Sequence, residues 1–219
     1  MATSELLIIG AGGFARETAQ AVAAINAVRP TWRLHGFLDD DPLLHGRRVD
    51  GLPVIGGTDL VQSLPDAYVV VCVGNPRNYF ARARIVERLN LPDERYAAIL
   101  HPSADISTDS IVGPGSVLLA QTVLTAAVTV GAHVAVMPHA VLTHDVTVDD
   151  FATIASGVRL GGGASVLRRA YLGSGALIRE QVKIGAWSQV GMGSVVLQDI
   201  PDAEVWVGNP ARKLRDIEI

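Results

Sequence analysis

Every sixth residue from Ile106 to Val196 is aliphatic. The series runs Ile106, Val112, Leu118, Leu124, Val130, Val136, Leu142 and Val148, then Ile154, Leu160, Val166, Leu172, Ile178, Ile184, Val190 and Val196, sixteen positions without a slip. The residue two places earlier is small or Val, from Ala104 and Ser110 to Ser188 and Ser194, and Gly follows the aliphatic residue at Gly113, Gly131, Gly161, Gly173, Gly185 and Gly191. A period of six matches neither the alternation of a pleated strand nor the 3.6-residue turn of a helix. It is the hexapeptide repeat of a parallel β-helix, in which each repeat is one short strand plus a corner and three repeats close a triangular coil. The aliphatic residue points inward and stacks on its equivalent one coil away, at about 4.8 Å. The small residue occupies the corner where no larger side chain fits. Residues 106–196 make about five such coils.

The first part of the 219-residue chain has a different grammar. Residues 6–9 read as an aliphatic strand, followed by the turn Gly10-Ala-Gly-Gly13. Residues 14–28 carry helical spacing, with Ala15, Thr18, Ala19, Val22 and Ile25 on one stripe. Residues 34–38 read as a second strand, ending in Asp39-Asp40-Asp41-Pro42. A short strand at 54–55, a short helix at 59–63 capped by Thr58, a strand at 68–73, the turn Gly74-Asn75-Pro76 and a helix at 79–89 complete the series. Such alternation predicts an α/β fold, a small Rossmann-like domain over residues 1–95. The β-helix then spans residues 96–200, and a tail covers 201–219.

Charge and composition narrow the function classes. The net charge is −4 and no basic run occurs, so no nucleic-acid partner is expected. The longest apolar runs are far too short to span a bilayer, so no membrane partner is expected. The chain starts without a basic, apolar leader pattern, which predicts a cytoplasmic protein. Its one cysteine, Cys72, excludes an internal disulfide and a thiolate zinc site. Cys72 falls in a buried strand pattern and reads as an inert core thiol. No His, Asp and Glu cluster has ligand spacing, so no metal is expected.

Gly10-Ala-Gly-Gly-Phe-Ala15 follows a strand and opens a helix, so its backbone amides can hold a phosphate at a helix N-terminus. Asp39 and Asp40 end the second strand, where an acidic residue can bind a ribose. Together with the hexapeptide β-helix and the tail Val207-Gly-Asn-Pro-Ala-Arg-Lys213, this chain resembles one family along essentially its whole length. It resembles the sugar acetyltransferases of the sialic acid, bacillosamine and perosamine type. The resemblance implies a left-handed β-helix, a homotrimer with active sites between subunits, acetyl-CoA as co-substrate and a sugar or nucleotide-sugar acceptor. It implies that His144 is the general base and Asp145 its partner, since a His followed by Glu or Asp at that register is the family's catalytic pair. The chemistry suits those residue types: acetyl transfer needs a group to take a proton from the attacking amine or hydroxyl, and an imidazole oriented by a carboxylate does this near neutral pH.

The same resemblance places the acceptor nucleotide at Gly12, Gly13, Phe14, Asp39, Asp40 and Gly74. It places acetyl-CoA against the backbone amides of Gly162, Ser174 and Met192 and against Thr153, which stands where some members carry a second His. Phe14 replaces a His, and Met137 an Asn, found in many members. His133 and His139 are also off the inward positions. A flank rich in Ala and Val, including Ala126-Ala127 and Val134-Ala135, is expected on the outside of the coil. The residues leave open other functions: acetylation of a non-nucleotide small-molecule amine, or a non-enzymatic trimeric scaffold that binds NAD or another nucleotide at the glycine turn. Thioester turnover that depends on His144 separates the enzyme from the scaffold.

Overall fold

A computed structural model describes residues 3–75 and 78–218. The chain divides into two compact units, Met1–Pro102 and Ser103–Ile219. Pro76 of the Gly74-Asn75-Pro76 turn lies outside the described residues.

The first unit is built on a parallel sheet. Its elements are β1 (Ser4–Ile9), α1 (Gly13–Val28), β2 (Trp32–Leu38), β3 (Arg48–Val49), β4 (Leu52–Gly56), β5 (Tyr68–Val71), α2 (Ala81–Leu89) and β6 (Ile99–Leu100). The sheet order is β3-β4-β2-β1-β5, with β4, β2, β1 and β5 parallel and β3 folded back antiparallel on β4. The aliphatic runs at 6–9 and 69–71 supply its core: Leu7, Ile9, Leu38, Val69 and Val71 pack with Leu89 and Tyr96. Tyr96 also bridges Val69, which holds residue 96 within this unit. Cys72 follows β5 rather than ending it, yet stays in the ladder through its N–H to the Ile9 carbonyl at 2.8 Å. Thr58 is not a cap. The short helix Thr58–Ser63 is a 3-10 turn whose N-cap is Gly57, and the Thr58 hydroxyl is used elsewhere.

In the second unit the six-residue period becomes a column. Leu124 pairs with Leu142, Leu142 with Leu160, Leu160 with Ile178 and Ile178 with Val196, all parallel. The other two faces repeat this with Val130, Val148, Val166 and Ile184, and with Val136, Ile154, Leu172 and Val190. From Leu118 to Val196 every residue of the series is at most 4% exposed. The residues two places earlier form a second interior column, and Ala140, Val146, Ala164 and Ala170 are completely buried. Val134 belongs to that column and is 1% exposed, and Ala135 beside it is 0% exposed, so this pair forms no exposed flank. Glu204–Gly208 adds a strand beside Gln189–Val190, and Ala211–Asp216 returns antiparallel along it.

From Gly115 to Gly193 each corner places one residue in the left-handed region. Along one edge these are Ala127, Asp145, Gly163 and Gln181, along a second Gly115, His133, Phe151, Arg169 and Trp187, and along the third Gln121, His139, Gly157, Gly175 and Gly193. A non-glycine residue pays roughly 1–3 kcal/mol for this conformation. Two interactions offset that cost. The left-handed residue donates its N–H to a carbonyl of the coil before, as Asp145 does to Ala126 at 3.0 Å and Phe151 to Ala132 at 2.9 Å. Each corner also lets one aliphatic side chain turn inward, which stabilises by about 1.5–3 kcal/mol.

Candidate active site

His144 and Asp145 occupy one corner of the β-helix. Asp145 has φ +61, a conformation that Asp tolerates better than most L-residues because its short polar side chain bonds locally. That conformation turns both side chains outward, and they are 67% and 69% exposed. His144 Nδ1 lies 2.9 Å from an Asp145 carboxylate oxygen. A carboxylate only accepts, so Nδ1 carries a proton and the neutral ring presents Nε2 as a lone pair. The preceding Thr143 is fixed by its hydroxyl, which donates to the Leu160 carbonyl at 2.7 Å. Below the ring lies Gly162, one coil on. It is buried, and a Cβ there would lie 2.3 Å from both Cε1 and Nε2 of the imidazole.

Gly162, Ser174 and Met192 all share the register of His144, the residue just before the left-handed corner. In the β-helix ladder, N–H groups at this register point away from the backbone bonds. At Ala132 and Ala186 they are capped by the carboxylates of Asp150 and Asp202, at 2.9 and 2.8 Å. Among the described residues no acceptor takes the N–H of Gly162, Ser174 or Met192, which leaves each able to receive a carbonyl or phosphate oxygen. The chain does not gather them at one point: Gly162 is on the edge of His144, whereas Ser174 and Met192 stack on the third edge, through the Gly193 N–H to the Ser174 carbonyl at 2.9 Å. Thr153 lies in a different place again, on a strand between Ala135 and Tyr171, 8% exposed. The two other histidines of the β-helix singled out by register, His133 and His139, are not part of the His144 corner. His133 is buried on the second edge and stacks flat on Phe151, with ring centroids 4.9 Å apart, and Arg169 lies 4.4 Å from the Trp187 ring in the same column. His139 is exposed on the third edge.

In the first unit the glycine turn and the end of β2 come together. The Ala11 N–H donates to Asp39 Oδ2 at 2.9 Å, and the Asp41 N–H to Oδ1 at 2.9 Å, so the Asp39 carboxylate ties the turn to its own loop. A Cβ at Gly12 or Gly13 would meet nothing within 4 Å, so space is open above the start of α1. That helix start has no side-chain cap and no acidic residue in its first turn, which leaves the N–H groups of that turn without a side-chain acceptor, although the Asp39 carboxylate stands just ahead of it on Ala11. Phe14 is buried, and its ring packs 3.4 Å from where a Gly74 Cβ would be; it forms a wall of the turn and not a polar contact. Asp40 faces elsewhere. It accepts from the Thr58 hydroxyl at 2.7 Å and pairs with Arg88 at 2.6 Å. Burial pushes its carboxyl up, but the Arg88 and Thr58 hydrogen bonds outweigh this and hold it below the ordinary value. Arg88 and His45, whose Nε2 donates to the Asp39 carbonyl at 2.7 Å, carry no local sequence signal, and the cap pattern at Thr58 does not point to its bond with Asp40. They are set by contacts across the fold.

Residues 5–89 match the PglD N-terminal domain family. The acetyltransferase domain of PglB from Neisseria gonorrhoeae, solved with acetyl coenzyme A, is 32% identical and superposes with a TM-score of 0.84, covering 97% of this chain and 100% of that one. This chain belongs to the PglD-type acetyltransferases. A mutant perosamine N-acetyltransferase from Caulobacter crescentus, in complex with CoA and GDP-perosamine, is 28% identical, with a TM-score of 0.86 over 98% of this chain and 99% of that one. GDP-perosamine N-acetyltransferase from Escherichia coli O157:H7 is 28% identical over 95% of each chain. As in these PglD-type relatives, a Rossmann-like domain precedes a left-handed β-helix. No helix among the described residues is long and apolar enough to cross a membrane.

Proposed function

We propose that this chain moves the acetyl group of acetyl-CoA to an amine or hydroxyl of a nucleotide-linked sugar. The observation that carries the reading is the His144–Asp145 pair: an exposed imidazole with Nδ1 protonated, Nε2 left with its lone pair, and, among the described residues, an N–H without an acceptor at Gly162 beneath it. In this scheme His144 Nε2 takes the proton as the acceptor nitrogen or oxygen attacks the thioester carbonyl. The Asp145 carboxylate stabilises the imidazolium, and corner amides receive the carbonyl oxygen as it gains charge. The C–S bond breaks, and the thiolate of CoA takes a proton, returning the base to neutrality.

The open glycine turn at Gly12 and Gly13, with the helix dipole behind it, suits the diphosphate of the acceptor. Asp39 holds that turn in place, Phe14 and Gly74 wall it, and Asp40 braces the neighbouring loop. On the donor side, Ser174 and Met192 are on a different edge from His144, so a donor that touches both sets lies between two chains. This supports a homotrimer with inter-subunit sites, since a closed cyclic arrangement brings one edge of each chain against another edge of its neighbour. A cytoplasmic enzyme fits a chain with a single, buried thiol.

A thioester-release assay with acetyl-CoA against UDP-, GDP-, dTDP- and CMP-linked amino sugars and hydroxy sugars tests the proposal. Release with one nucleotide class, abolished by free nucleotide of that class, is the expected result. Release with simple amines alone, or with none of the panel, would overturn the acceptor assignment. A stable monomer in sedimentation at micromolar concentration would remove the inter-subunit site.

A further inference from the structure

We infer that Gly162 is a positioning residue for His144: its missing side chain is the flat seat on which the imidazole lies. The inference rests on the reading of His144 as the base. Three adjacent glycines make the argument, because each is required for a different reason. A Cβ at Gly161 would lie 2.6 Å from the Glu180 backbone nitrogen, so the packing of coil on coil excludes it. Gly163 is the left-handed corner, with φ +67. Gly162 has neither constraint. Its φ is outside the left-handed region, and the atoms that a Cβ would meet are the ring of His144: Cε1 and Nε2 at 2.3 Å and Nδ1 at 3.0 Å.

The repeat supplies a control. Every sixth residue from Pro114 to Met192 occupies this same corner register, and the residues found there include Ala, Asp, Ser, Arg, Glu and Met. Gly162 is the one glycine among them, and it stands one coil after His144. The β-helix therefore tolerates a side chain at this register, and only the imidazole asks for its absence. The seat is rigid, because the Gly162 carbonyl accepts from the Gln181 N–H at 2.9 Å and the Gly163 N–H donates to the His144 carbonyl at 2.9 Å. With Asp145 on Nδ1 and Gly162 under the ring face, the direction of Nε2 is set before substrate arrives. A displacement of about 1 Å in such a group costs on the order of a hundredfold in rate.

The test is a four-member cycle of the full chain: unchanged, Gly162→Ala, His144→Ala and the double variant. Turnover, acetyl-CoA affinity and Tm are measured for each. Gly162→Ala keeps the backbone N–H, so acetyl-CoA affinity should hold while turnover falls roughly ten- to a hundredfold. In the His144→Ala background the same change should cost no further turnover. Gly162→Ala should leave Tm nearly unchanged in both backgrounds, because the only atoms in its way are the end of an exposed side chain that can swing off the seat. Equal turnover losses in both backgrounds, or a loss carried by acetyl-CoA affinity, would show that Gly162 acts on the donor directly and overturn the inference. Near-normal turnover of His144→Ala would instead remove the base reading, while a large Tm loss from Gly162→Ala in the His144→Ala background would show that the coil itself needs the glycine and refute the seat.

Discussion

Replacing Asp145 with Asn separates orientation from charge at the catalytic corner. Asn also tolerates the left-handed conformation, so φ +61 at this position and the N–H to the Ala126 carbonyl at 3.0 Å should survive. What changes is the bond to His144. A hydrogen bond to a charged group contributes about 1.5–3 kcal/mol and a neutral one about 0.5–1.5. The two ranges differ by about 1–1.5 kcal/mol, and at 67% and 69% exposure water screens part of that, which leaves at most about 1 kcal/mol. That is at most a roughly fivefold loss of turnover. His144→Ala removes the proton acceptor altogether, and turnover should fall by roughly 10² to 10⁴. Neither change should weaken acetyl-CoA binding, because the pair acts on the acceptor proton. The assay is thioester release in single-turnover mode, so that chemistry and not product release is measured. If Asp145→Asn lost as much as His144→Ala, the carboxylate would be indispensable to the base, by fixing its tautomer or by sharing its proton, and the division of roles would be wrong. If His144→Ala kept a near-normal single-turnover rate, the general-base mechanism would fall.

Three other outcomes follow from the packing. Gly161→Ala should destabilise the chain by about 1–3 kcal/mol, since a Cβ 2.6 Å from the Glu180 nitrogen forces two coils apart; urea unfolding should show this with or without His144, unlike the change at Gly162. The folded Asp40 carboxyl titrates below its ordinary 3.8, because the Arg88 and Thr58 bonds outweigh the opposing effect of burial. Its stabilisation is thus complete above the unfolded value and is lost as pH falls through the lower folded one. The Tm gap between the unchanged chain and Asp40→Asn should be constant at pH 6–7 and close below about pH 4. Cys72 is buried and its thiol is pushed up to about 12. It should resist iodoacetamide at pH 8 and react when urea unfolds the chain; rapid labelling of the native protein would contradict that placement.

The β-helix was legible in the sequence because a solenoid core is one-dimensional. Each inward residue meets its own equivalent one coil away, so the environment of Leu142 repeats at Leu160 and Ile178, and burial can be read from spacing alone. The strands of the first unit were legible for a similar reason, as short aliphatic runs between glycine and proline punctuation. His144 and Asp145 were found through a family resemblance and through their place off the inward register. Other features had no local signature. Thr58 reads as a cap, but its hydroxyl serves Asp40, which also holds Arg88, 48 residues away. Phe14 stands in a binding motif, yet its ring is a buried wall against Gly74. Val134 and Ala135 look like an outer flank and are interior.

The glycine run at 161–163 draws the line most sharply. Sequence spacing alone places Gly161 after an inward Leu160 and sets the whole run at a corner. Only the folded coil distinguishes the three, because one glycine answers to the backbone of the next coil, one to its own dihedral angle and one to a histidine ring 18 residues before it. By itself the sequence determined the repeat, its register and the column of buried side chains, since these follow from a periodic pattern acting on nearest neighbours. The tertiary structure decided which side chains share a corner, which carboxylates are already bound and where an N–H is left open. Those depend on distances between residues that no spacing rule connects.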